Sequence, residues 1–389
     1  MTEAEAGKMN KFLKSIIAKL AKNRLYLISL FISIVIALLI GAALMAVTGF
    51  NPIQGYSAMI KGAFGSTRVF GNTVTKAICL CLTGLAMAVA AKAGMFNVGG
   101  EGQLFFGGFA ATMTGVWLGG MPAIIALPLA FFSAMAVGGL YAFIPAWLKV
   151  KIKVSEVITT IMLNSVAIYV CSWFVNSGGP FLTGDRSVKA GTDAIPANLA
   201  FSQLIPRSNL STALLYSAVI AFACWYFMEK TSVGLEMKVT GENERFAFFS
   251  GLKKDRIMIL SMVASGAICG LVGMFEVYGY QNRFLPSISN EFYYDGMLVA
   301  MITNYSPIGI ICMSFFFAVI AIGSSAMELN VGISGEIADI IFSVIIFLMA
   351  AEGGITRSWE AKRIQRKAKA RIRLKKEETL LAEGGEANA

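Results

Sequence analysis

The chain has 389 residues, of which 56% are hydrophobic and 14% charged, with a mean hydropathy of +0.68. A soluble protein carries about 25% charged residues, so a water-facing surface around one core is excluded, and a soluble enzyme with it. The net charge of +10 sits at the two ends, with six Lys/Arg against two Glu in residues 1–25 and ten against six in residues 352–389; basic flanks around an apolar middle follow the positive-inside rule rather than a nucleic-acid footprint.

Residues 8–22 set Phe12, Ile16, Ile17 and Leu20 against Lys8, Lys11, Lys14 and Lys19. This predicts an amphipathic helix in the cytoplasmic headgroup layer, within a basic segment 1–24. The next run, Leu25–Val47, is longer than a signal-peptide core of about 7–15 residues and reads as a retained membrane span. Further predicted spans are Val74–Ala93, Leu104–Gly119, Met121–Leu148, Ser155–Val175, Leu210–Met228 and Ile257–Val277. Gly296–Met327 is too long for one crossing at about 1.5 Å per residue. It is split at Asn304-Tyr305-Ser306-Pro307 into a short helix and a full one. Val331–Ala351 is the last span, and residues 352–389 form a basic cytoplasmic tail.

The expectation is an all-α polytopic membrane protein with about ten transmembrane helices across residues 25–351 and both termini cytoplasmic. The inside loops then hold Lys149, Lys151, Lys153, Lys230, Lys238, Arg245, Lys253, Lys254 and Arg256, which agrees with that topology. No repeat of fixed period is visible.

Polar groups at lipid depth cost several kcal/mol unless protein or water faces them. Four places carry them. Phe96–Gln103 (FNVGGEGQ) puts Asn97, Glu101 and Gln103 around three helix-breaking glycines. It is either a cytoplasmic turn or part of a solute path. Glu156, Thr159, Thr160 and Asn164 share one face of a predicted helix at i, i+3, i+4 and i+8 spacing. That stripe suits an aqueous path or a polar helix contact, and Ser155 could cap the helix. Asp295 follows Phe292, Tyr293 and Tyr294, aromatics of the kind that anchor at membrane interfaces. Glu336 and Asp339 lie three apart at the start of the last span without an assignable role.

The largest inside loop, 229–256, contains Gly241–Gly251 (GENERFAFFSG). Asn243 reads as an N-cap, Gly251 as a stop, and Phe246, Ala247 and Phe249 as an apolar face. A short cytoplasmic helix of this kind either docks a partner or packs back onto the spans.

Several chemistries are absent. With no histidine, His-based triads, HExxH zinc sites and axial haem histidines are ruled out. The six cysteines lie in apolar runs without a CxxC pair and read as buried thiols, not a metal site. No GxxxxGK[ST] occurs, so ATP is not bound here through a Walker A loop.

Four collinear segments, FNVGGEGQ (96–103), SEVITTIMLN (155–164), GENERFAFFSG (241–251) and YYDGMLVAMITNYSPIG (293–309), make the chain resemble the permease family of ABC importers for ribose, branched-chain amino acids and nucleosides. The nucleoside and simple-sugar branch, which works with basic-membrane-protein lipoproteins, is most similar, and the likeness covers residues 25–351. It implies a type II-like importer permease in the cell membrane that passes a small polar solute, nucleosides first, inward. It also implies partners: a separate ATPase subunit that holds the ATP, a second and different permease chain, and a substrate-binding lipoprotein. No cofactor or metal on this chain is expected.

The family's coupling segment maps onto Gly241, Asn243, Glu244, Phe246, Ala247, Phe249 and Gly251. A solute path would be lined from Asn97, Glu101, Gln103, Glu156, Thr159, Thr160, Asn164 and Asp295. Phe246, Phe248 and Gly100 depart from the family's usual residues. A simple sugar such as ribose or galactose is the alternative cargo. An ion-coupled secondary transporter would need midplane ionisable groups, whereas Glu156, Glu276 and Glu336 fall near span ends. A membrane-embedded enzyme has neither histidine nor clustered aspartates to work with.

Overall fold

The computed structural model describes residues 31–184, 189–289, 291–337, 339–341, 343–345 and 347–348. The predicted amphipathic segment 8–22 and the tail 352–389 lie outside them. Every regular element among the described residues is a helix, and the one isolated bridge is Gln203–Ser211. Among the described residues two compact units are present: 31–52 with the described part of 336–348, and Ile53–Gly335. In the first unit α1 covers Phe31–Val47, the described part of the Leu25–Val47 span.

The second unit holds α2 (Pro52–Phe64), α3 (Thr67–Lys92), α4 (Gly100–Trp117), α5 (Ala123–Trp147), α6 (Glu156–Val175), α7 (Ala213–Lys230), α8 (Ser232–Glu242), α9 (Glu244–Phe249), α10 (Lys254–Glu276), α11 (Phe292–Ile302) and α12 (Pro307–Val331). Among the described residues six helices are long and apolar enough to cross a membrane: α3, α5, α6, α7, α10 and α12. The predicted span at Leu104–Gly119 is α4, which starts earlier and is buried along most of its length. Protein rather than lipid surrounds it, so its glycines and threonines cost little. α3 and α10 are the central helices, with 61% of their most apolar stretch buried; α6 and α7 are peripheral at 22%.

The centre is packed on small residues, the usual device where lipid offers no hydrophobic drive between helices. A methyl on Gly270 of α10 would collide with the Ala134 carbonyl on α5. Similar approaches at Gly138, Gly107 and Gly273 bring the α4, α5 and α10 backbones together. Only hydrogen at Cα permits this. An aromatic layer made by Phe105, Phe109, Phe174, Phe181 and Phe284 covers one end of that core.

Two predicted boundaries change. The last span does not begin at Val331: α12 runs through that residue and stops at Gly332, whose φ of 74° places it in the left-handed cap conformation, and helix resumes at Glu336. The 296–304 half-helix starts earlier, at Phe292. Its end is as predicted: α11 stops at Ile302, Asn304 and Tyr305 take positive φ, and Pro307 opens α12.

Candidate functional site

α3 runs out at Lys92, and the chain turns back through residues 93–99 to start α4. That break holds the polar centre. Asn97 is fully buried, and its side chain uses every hydrogen-bonding position it has. Its Nδ2 donates to Gln103 Oε1 at 2.9 Å and to Ser265 Oγ on α10 at 2.8 Å. Its Oδ1 accepts from the Gly99 amide at 2.9 Å and from Gln103 Nε2 at 3.1 Å. The Tyr293 hydroxyl of α11 donates to the Asn97 carbonyl. Three segments distant in sequence meet on one amide.

Asn164 of α6 is the second clasp. It accepts from the Gly102 amide at 2.8 Å and donates to the Val98 carbonyl at 2.8 Å and the Tyr294 hydroxyl at 3.0 Å. Glu101, also buried, accepts from the Tyr293 amide at 3.3 Å. It lies in the first turn of α4, where the positive end of the helix dipole favours a carboxylate. Non-helical backbone at membrane depth needs such partners inside the protein, and here every polar group of the break that these bonds reach is satisfied.

The stripe on α6 is narrower than predicted. Glu156, Thr160 and Asn164 are buried along one face, but Thr159 is half-exposed and bonds only to its own helix, to the Ser155 and Glu156 carbonyls at 3.1 Å each. Successive residues on a helix lie about 100° apart, so Thr159 and Thr160 cannot both face the same neighbour. Glu156 is held by Lys149 at 2.7 Å, away from the Asn97 centre. Ser155 makes no side-chain cap bond.

The tyrosines are not interfacial anchors. Tyr293 is wholly buried against Cys269 and Ala86, and Tyr294 is half-buried with its hydroxyl on Asn164. The Tyr293 ring also accounts for Gly100, where a Cβ would overlap the ring. Gly100→Ala should therefore cost about 1–3 kcal/mol by overpacking. Trimming the ring as well, in Gly100→Ala/Tyr293→Leu, should show a coupling between the sites that a thermal-unfolding double-mutant cycle reads directly. Additive losses would mean the contact is not the reason for the glycine.

Asp295 also reaches α3. Its Oδ2 is 3.6 Å from Lys76 Nζ on α3. Lys76 also caps the Phe292 ring, 4.1 Å from its centroid. Sequence reading missed Lys76, Ser265 and Tyr293 as site residues: a lone lysine or serine in an apolar run shows its partner only when the helices are packed.

Beside the same C-terminal end of α3, segment 241–251 forms the short helix that its local cap and stop signals predict, with one correction to its faces. Loop 229–256 is mostly helix: α8 and α9 meet at a break where Asn243 caps α9, accepting from the Phe246 amide at 3.0 Å. Gly251 has φ +78° and ends it. Glu244 pairs with Lys254 at 3.1 Å across the turn. Ala247 does not belong to the outward face, because it is fully buried; Phe246, Phe248 and Phe249 are 59%, 63% and 84% exposed instead. Gly241 presses on the α3–α4 break: a Cβ there would meet the Lys92 carbonyl at 2.5 Å and the Gly94 amide at 2.8 Å. Lys92 also pairs with Glu229 at the end of α7.

Among the described residues no group of three His, Cys, Asp or Glu could hold a metal ion. The six cysteines are free thiols.

These features define a polytopic helical membrane protein with a buried polar hub and a short helix carrying exposed aromatics. The chain belongs to the branched-chain amino acid transport system / permease component family, whose pattern matches residues 69–350. It is similar to the guanosine ABC transporter permease protein NupP of Bacillus subtilis, 31% identical over 86% of this chain and 96% of that one. The nucleoside ABC transporter permease protein NupB of Lactococcus lactis is 34% identical, over 85% and 92%. The glucose ABC transporter permease protein TsgB13 of Haloferax volcanii is 29% identical, over 82% and 86%. No solved structure matches the chain. The protein is a multi-pass permease of the plasma membrane.

Proposed function

We propose that this chain is the membrane subunit of an ATP-driven importer that passes nucleosides inward. The relatives named for guanosine and nucleosides support that cargo, since the likeness runs almost end to end in both chains. A simple sugar is the second reading, favoured by the glucose permease relative. ATP binds a separate ATPase subunit. A second, different permease chain completes the channel, and a lipoprotein delivers the solute. No cofactor is required on this chain. About ten crossings with both termini cytoplasmic fit the basic flanks.

In this reading α9 docks on the ATPase, and the observation that carries it is the trio of exposed phenylalanines at 246, 248 and 249. Gly241, Asn243, Glu244, Ala247 and Gly251 shape and hold that helix. Closure of the ATPase moves α8 and α9, and Gly241 passes the movement to the α3–α4 break. Asn97, Gln103, Thr160 and Asn164 frame the path as a rigid clasp. Glu101 and Asp295 face its solute side, with Glu156 and Thr159 nearer its cytoplasmic mouth. The permease needs contacts that differ between states rather than a tight solute site.

Phe246→Asp tests this. The chain should insert and assemble, but ATP hydrolysis should no longer respond to loaded binding protein and uptake should fall at least tenfold. Normal coupled uptake with the complex intact would overturn the docking role.

A further inference from the structure

Lys76 is a charged residue well inside a membrane helix. At about 1.5 Å per residue it lies roughly 13 Å from the Thr67 end of α3 and 24 Å from Lys92. A hydrocarbon core of about 30 Å therefore includes it, whichever end faces out. A cation there is expensive unless paired and shielded from lipid.

Its surroundings are polar and aromatic. Asp295 Oδ2 is 3.6 Å away and the Phe292 ring lies beneath the ammonium. One helical turn further along α3, Cys79 donates its thiol to buried Glu276 at 3.0 Å. Gln281 follows Glu276 in the widened turn that ends α10, and its Oε1 is buried without a hydrogen-bond partner among the described residues. The ion pair is not sealed: the Lys76 side chain is 14% exposed and that of Asp295 37%. A half-open ion pair facing acyl chains would forfeit hydration without full compensation. The opening must therefore meet water, solute or another polar surface.

We infer that Lys76 and Asp295 form a solute-contacting station on the path, which binds the hydroxyl groups of a neutral polyol such as a ribosyl or hexosyl ring. The ammonium offers three donors and the carboxylate two acceptors, a set that pairs with vicinal hydroxyls acting both ways. Phe292, whose ring lies under the ammonium, gives the station an aromatic wall for flat apolar contact with a base or a sugar face. Because the two charges cancel, an uncharged solute can replace part of their mutual interaction without leaving a bare ion. This rests on the importer reading above and goes beyond it by naming the contact residues.

The test uses the assembled importer in proteoliposomes with its ATPase and binding protein. Lys76→Cys, in a background without the six native cysteines, should react with a charged methanethiosulfonate in at least one nucleotide state. Guanosine, uridine, ribose and glucose are then offered through the loaded binding protein. Whichever of them is carried should slow the labelling several-fold. In the native background Lys76→Met should raise KM for uptake about tenfold, what one charge-assisted hydrogen bond is worth. The reversal Lys76→Asp/Asp295→Lys should recover most of what Lys76→Asp loses. Labelling in no state, or labelling that no carried solute slows together with an unchanged KM in Lys76→Met, would overturn the station. Uptake of sugar alone, with sugar protecting the thiol of the Lys76→Cys variant, would refute nucleosides as cargo and leave the station standing.

Discussion

Replacing Asn97 by leucine should abolish the native fold rather than reduce transport. The fully buried side chain makes four hydrogen bonds, to Gln103 twice, Ser265 and the Gly99 amide. Leucine fills a similar volume but leaves those groups unpaired. A buried donor or acceptor left unsatisfied costs about 1–3 kcal/mol, and at least three partner groups are orphaned together. The sum approaches the whole stability of a typical protein, about 5–15 kcal/mol. Hydrogen bonds between membrane helices often contribute less, about 0.6 kcal/mol on average, because the alternative state also finds partners. That discount does not apply to an amide whose partners sit on a helix break, where straightening the backbone is the competing outcome. The expected observation is failure to recover folded complex, or a Tm lowered by many degrees. Asn97→Ser, which keeps a donor and an acceptor, should fall between. A leucine variant with normal Tm would show that the break is held by packing alone.

The second large effect is expected at Gly241. Valine there cannot be accommodated by a side-chain shift, because the obstacles are backbone atoms: the Lys92 carbonyl at 2.5 Å and the Gly94 amide at 2.8 Å. α8 must move away from the α3–α4 break by an ångström or more. The spans themselves are untouched, so insertion and yield should stay near wild type. Transport should fall at least a hundredfold while basal ATP hydrolysis persists, since the aromatic face of α9 remains free to bind. This pattern separates a broken transmission contact from a lost docking surface, where Phe246→Asp removes the response of the ATPase itself. Gly241→Ala, with the same Cβ and no branches, should give a smaller loss. Wild-type uptake by the valine variant would show that the contact carries no coupling.

Much of the molecule was readable in the residues themselves. Membrane residence follows from composition, because no arrangement of 14% charged residues covers so apolar a chain. The split at Asn304–Pro307 was equally plain, since Pro307 cannot continue the helix before it and Asn304 tolerates a left-handed backbone. Asn243 and Gly251 marked the ends of α9 for similar local reasons. These are one-dimensional facts: each depends on a residue and its near neighbours.

The tertiary structure decided the rest. Ala247 and Phe248 exchanged faces because the direction in which a six-residue helix points is set by what it packs on. Tyr293, read as an interfacial anchor, became the partner of Asn97 once α11 was laid beside the break. Thr159 left the polar stripe and Lys76 entered the site, because a neighbour on another helix, not spacing along one, determines which polar group is covered. Periodicity can say which residues share a face. Only the packing of α3, α6, α10 and α11 says what that face meets, and at membrane depth the answer fixes whether a polar side chain is a cost, a clasp or a contact for solute.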